Sequence, residues 1–132
     1  MNEQIIEWLL DGPYWIKHAV EMHLLGSHPS SQNVLSDGVV VEIVDRLKDK
    51  RRGIPAIRNG NMNADEYENP YWDLFFLADL GLKAADLKLN SEINDFLKLQ
   101  HQDGAYLTEC GMQSNYLCKS AIIISSIARR GY

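Results

Sequence analysis

Four histidines and two cysteines are the residues of this chain best suited to metal or nucleophilic chemistry. His18 and His23 lie five positions apart. A helix brings positions i and i+4 onto one face, so these two do not form a two-histidine metal clamp. His28 follows in a linker, and all three read as surface or boundary histidines. His101, Asp103, Cys110 and Cys118 would make a tetrahedral set of mixed nitrogen, oxygen and sulfur donors if the chain between them folded back. Zinc sites usually show tighter cysteine pairs of the C-x-x-C kind, and none occurs here. Cys110 with His101 is the corresponding thiolate–imidazole pair for nucleophilic catalysis, but its spacing does not single it out. Cys118 reads more simply as a small apolar core residue. The pattern implies no cofactor and no resident metal.

The aromatic residues are the stronger candidates for binding. Pro13-Tyr14-Trp15 recurs as Pro70-Tyr71-Trp72, and Tyr106 and Tyr116 occupy a comparable stretch further on. If equivalent positions converge at one end of the fold, Tyr14, Trp15, Tyr71, Trp72, Tyr106 and Tyr116 line a common surface. Such a lining suits an isoprenoid or another apolar small molecule, and its ring faces would stabilise a cation. The simpler alternative is a core stack between repeats, because large aromatics are usually buried for packing.

These residues have to be positioned by helices. Each Pro-Tyr-Trp copy opens an apolar run that stops at Leu-Gly, at Leu25-Gly26 and at Leu80-Gly81, and a third run from Tyr116 to Arg130 stops at Gly131. Proline at the start and glycine just past the end mark helix termini. Ahead of each of these helices stands another. The first, Ile5 to Leu10, ends at Asp11-Gly12. The second starts near Asp37 as N-cap, carries Val40, Ile43, Val44 and Leu47 at helical spacing and stops at Arg52-Gly53. The third starts near Asn90-Ser91, points Ile93, Phe96, Leu97 and Leu99 inward, and ends at Gln100. Ser27 to Asp37 reads as a linker with a short helical turn inside it. The expected architecture is all-α, about six helices in three helical-hairpin repeats, forming one domain over residues 1–132. Gly12, Gly53 and Gly104 mark matching points of the three units, and the more apolar second helices belong inside.

Bulk composition narrows the function. The 132 residues are 45% hydrophobic, enough for a real core, and the formal net charge is −5. An acidic balance excludes nucleic acid as the main partner, since phosphate binding relies on a basic face. The one basic cluster, Arg46, Lys48, Lys50, Arg51 and Arg52, fits the last turn of a helix, where cations meet the negative end of the dipole. No apolar segment is long enough for a membrane span. Met-Asn-Glu-Gln at the start carries no positive region of a signal peptide, which leaves a cytoplasmic location and reduced thiols as the expectation.

The string FLKLQHQDGAY, Phe96 to Tyr106, resembles the repeat turn of the terpene cyclase and protein prenyltransferase superfamily. In that turn a helix ends in a glutamine followed by an Asp-Gly turn and an aromatic residue, here Gln100, Asp103, Gly104 and Tyr106. Asp11-Gly12-Pro13-Tyr14-Trp15 resembles a shorter copy, and Leu117-Cys118 with the apolar run to Tyr132 fits the inner helix that would follow. The resemblance implies an α/α toroid, with outer helices around inner helices that line an apolar cavity. It also implies structural rather than catalytic roles for Gln100, Asp103 and Gly104. The family's catalytic motifs do not carry over. The Asp-x-Asp-Asp acid cluster of the alkene-protonating cyclases has no counterpart, because Asp73, Asp79, Asp86 and Asp95 are dispersed. The Asp, Cys and His zinc ligands of the prenyltransferases cannot be matched together, and about six helices make only half a ring.

Three functions remain. One is a non-catalytic binding or assembly module whose open apolar faces close by self-association, as a homodimer, or on a partner protein. A second is a prenyltransferase- or cyclase-like protein acting on or binding an isoprenoid or other apolar substrate, as a dimer or with a partner. That second function would need a carboxylate or histidine projecting into a closed aromatic cavity, and it falls if Asp73 and His18 both face solvent. A third is a regulatory domain that binds a small apolar ligand without turning it over.

Overall fold

A computed structural model describes residues 2–50, 53–54, 70–98 and 125–129. Among them are six helices and no strand: α1 (Glu3–Leu10), α2 (Tyr14–His23), α3 (Gln32–Leu35), α4 (Gly38–Lys48), α5 (Pro70–Asp79) and α6 (Asn90–Leu97). Residues 125–128 are helical as well. The chain is all-α, as its periodicity predicts. No helix among the described residues is long and apolar enough to cross a membrane. The chain groups into two compact units, Met1–Glu42 and Ile43–Tyr132.

In the first unit the helix ends follow from local chemistry. The Asn2 side chain accepts the Gln4 N–H at 3.1 Å, and Glu3 places a negative charge in the first turn of α1. Asp11 closes α1 by donating its N–H to the Glu7 carbonyl at 3.1 Å. Pro13, with φ −54° and ψ 155°, sits at the cap position of α2, one residue earlier than a first-turn proline. The linker does contain a short helical turn, α3, and Asp37 caps α4 by accepting the Val39 N–H at 3.0 Å. Helix α1 packs on α2, and α2 on α3. The core of this unit is thin: its buried apolar residues are Val20, Val34 and Val40.

The second unit holds the larger core. Ile43 and Leu47 of α4 are buried, as are Leu74 and Leu77 of α5, and Ile93 and Phe96 of α6. Each such side chain contributes about 1.5–3 kcal/mol by leaving water. The stretch between α5 and α6 has no long helix, yet Leu82, Ala84, Leu87 and Leu89 are all buried. Two successive helix-stop motifs make this possible. At the end of α5, Gly81 takes φ 67°, its N–H donates to the Ala78 carbonyl at 2.9 Å, and the Leu82 N–H donates to the Leu77 carbonyl at 3.1 Å. This pairing satisfies the last carbonyls of the helix and brings two buried leucines together. The single turn that follows ends the same way: Lys88 N–H donates to Ala85 O at 3.1 Å and Leu89 N–H to Ala84 O at 2.9 Å. Here the left-handed position is held by Lys88, at φ 54°.

Leu99, Gln100, Gly104, Tyr106, Gly131 and most of the segment expected to form the final helix lie outside the described residues, and so does the greater part of the expected toroid-like turn. The expected helix end at Arg52-Gly53 comes too late, since α4 ends at Lys48, and Gly53 serves the turn beyond it. Its N–H donates to the Asp49 carbonyl at 2.8 Å, and a Cβ at this position would overlap the backbone carbonyls of Leu47 and Arg46.

Two substitutions probe these stops. Replacing Lys88 by glycine removes a left-handed strain of about 1–2 kcal/mol and adds back unfolded-chain entropy, so a net gain of about 0.5–1 kcal/mol is expected in urea unfolding. Gly53→Ala drives a methyl group into the end of α4 and should lower stability by about 2 kcal/mol in the same assay.

Candidate functional site

Of the expected aromatic set, Tyr14 and Trp15 belong to the first unit and Tyr71 and Trp72 to the second. Tyr14 opens α2 and is 52% exposed, and Trp72 in the first turn of α5 is 55% exposed, so neither is a core residue. Trp15 is half-buried. Trp72 stacks edge-on against Phe75, one turn further along α5, with ring centroids 6.2 Å apart and planes at 82°. Tyr71 belongs to α5, and Tyr106 and Tyr116 lie outside the described residues together with His101, Asp103, Cys110 and Cys118.

The polar candidates also divide. His23 and His28 are exposed, as expected. His18 departs from the surface reading: it is only 6% exposed, on the face of α2 that looks onto the segment 29–34. Among the described residues no group of three His, Cys, Asp or Glu side chains could hold a metal ion.

Asp73, the carboxylate that an acid-catalysis reading would need, is 9% exposed. It is committed to Arg46. The Arg46 Nε donates to Oδ2 and Nη2 donates to Oδ1, both at 2.7 Å, a planar two-point fork between the last turns of α4 and the first turn of α5. A carboxylate near a helix N-terminus is favoured by the dipole in addition. Arg46 therefore belongs to a structural pair rather than to a free basic patch. The Arg129–Asp79 contact at 3.1 Å is exposed on both sides and stabilises little. Glu92 keeps one carboxylate oxygen, Oε2, buried with no hydrogen-bond partner among the described residues.

The most unusual surface is at the N-terminal helix pair, which sequence periodicity alone does not distinguish from a buried hairpin. Helix α1 is strongly apolar, yet none of its residues is buried. Ile5 is 52% and Trp8 73% exposed. Beside them Trp8, Leu9, Asp11, Gly12, Pro13 and Ile16 line a shallow recess of about 210 Å³ whose surface is mainly apolar apart from Asp11. Glu3 and Glu7, on the same helix, are exposed. The legible signal was the tryptophan in an eight-residue helix, too short to be stable without packing on something else.

Comparison with protein-family models, with curated proteins and with solved structures gives no match to this chain.

Removing one member of the Arg46–Asp73 fork should have unequal effects. Arg46 is 31% exposed at its side chain and Asp73 12%. Arg46→Met leaves the more buried carboxylate uncompensated and is expected to cost about 2–3 kcal/mol. Asp73→Asn leaves a cation that water can reach, and about 1 kcal/mol is expected; urea unfolding of both variants and of the double variant measures the coupling.

Proposed function

We propose that the chain is a non-catalytic binding or assembly module that self-associates, as a homodimer, through the apolar surface of its N-terminal helix pair. The observation that carries this reading is the exposure of Ile5 and Trp8 on a helix that buries none of its own residues. Exposed apolar patches of this kind mark association surfaces, and a tryptophan beside a recess is the usual anchor of such a surface. Two copies related by a two-fold axis would place the Trp8 ring of each against the apolar surface of the other. Glu3 and Glu7 would remain at the rim, where water and salt screen them.

A second reading takes its support from the likeness to the toroid superfamily and from the recess beside Trp8. In that reading the recess holds an isoprenoid or another apolar small molecule without turning it over. The commitment of Asp73 to Arg46 supports binding over acid chemistry.

Light scattering on a size-exclusion column tests self-association. A dimer mass is expected at micromolar protein, and Trp8→Glu, which keeps the surface of α1 hydrated, should give a monomer with unchanged helical circular dichroism. Loss of a tryptophan anchor typically weakens such contacts by about 2 kcal/mol or more, roughly thirtyfold in Kd. A monomeric wild-type chain would eliminate the homodimer.

A further inference from the structure

A second recess in the first unit, of about 380 Å³, lies between α2 and the segment 29–34. Tyr14, Lys17, His18 and Glu21 line it from α2, at positions i, i+3, i+4 and i+7 of one helix face. Val34 and His18 are its buried residues, 1% and 6% exposed, and Pro29 lines it from the facing segment.

Two charges of opposite sign line this recess and do not neutralise each other. Lys17 and Glu21 stand one turn apart, where side chains of opposite charge ordinarily meet, yet no ion pair joins them among the described residues. Helix energetics does not explain their placement. Lysine ahead of glutamate is the less favourable order, and each charge lies toward the end of α2 whose dipole opposes it. An unpaired cation and an unpaired anion on one recess are complementary to a molecule that carries both charges itself. The remaining lining is mixed: His18, Ser30 and Asn33 are polar, and the Tyr14 ring with Pro29 and Val34 supplies apolar surface for a side chain.

We propose that this recess binds a free α-amino acid with an apolar side chain. The ligand's carboxylate sits on the Lys17 ammonium, its ammonium sits on the Glu21 carboxylate with the Tyr14 ring face adjacent, and its side chain rests against Pro29 and Val34. Binding is non-covalent, and each charged contact is made only when the ligand is a zwitterion. This site is separate from the exposed face of α1 and does not depend on self-association.

Titration of the full chain with L-phenylalanine, N-acetyl-L-phenylalanine and L-phenylalaninamide, followed by the amide NMR shifts of α2, tests the assignment. Saturable binding of the free amino acid is expected at millimolar concentration or below, with each single-charge derivative weaker by about tenfold or more. Glu21→Gln should weaken the free amino acid and leave the N-acetyl derivative unchanged, since that derivative has no ammonium to lose. Lys17→Met should weaken the free amino acid and leave the amide unchanged. Both side chains are at least partly solvent-exposed, so the variants keep the fold, which circular dichroism verifies. The proposal is overturned if no saturable shift occurs at millimolar ligand, if the three compounds bind alike, or if the two variants weaken all three equally.

Discussion

The two-point contact between Arg46 and Asp73 is the constraint on which the second unit depends. Apolar burial is non-directional: it brings α4 and α5 together but does not decide how either is rotated. A guanidinium fork on a carboxylate, with both distances at 2.7 Å, accepts one relative orientation. It joins residues 27 positions apart and thereby closes the chain between α4 and α5. With α5 held in that rotation, Leu74 and Leu77 turn into the core and Trp72 turns out. The same geometry engages both carboxylate oxygens of the aspartate in the first turn of α5.

From α5 onward the core is organised by backbone hydrogen bonding as much as by side chains. The two stop motifs at 77–82 and 84–89 let a stretch without a long helix run through buried territory. Their terminal carbonyls are paired instead of stranded. Leucines at 77, 82 and 89 are then buried almost completely. A lysine in the left-handed position of the second motif is strained locally, and the burial of Ala84 and Leu89 on either side holds it there.

The first unit is built differently. With Val20, Val34 and Val40 as its buried apolar residues, it has little interior to stabilise α1, which stays apolar and exposed. The burial of His18 belongs to the same picture, since a thin core leaves polar side chains to fill the space between α2 and the segment that follows. Surface features in this unit, the Trp8 face and the Lys17–Glu21 recess, are therefore where binding is most economically explained.

Much of the fold was legible in the sequence. The period of Val40, Ile43 and Leu47, the Asp37 cap, the turn inside the linker and the glycines after α2 and α5 are local signals, and local hydrogen bonding and steric preference suffice to read them. The candidate site was much less legible. Tyr14 and Trp72 share a motif, but a motif says only that both begin helices, not which way a ring points. His18 looked like any helical histidine until packing buried it. Arg46 read as one cation in a basic run, and its partner at position 73 could not be inferred from spacing. All-α character, helix boundaries and their caps follow from interactions between residues a few positions apart, which the sequence states directly. Exposure, ion pairing and recesses follow from contacts between distant residues, and only the tertiary structure decides those.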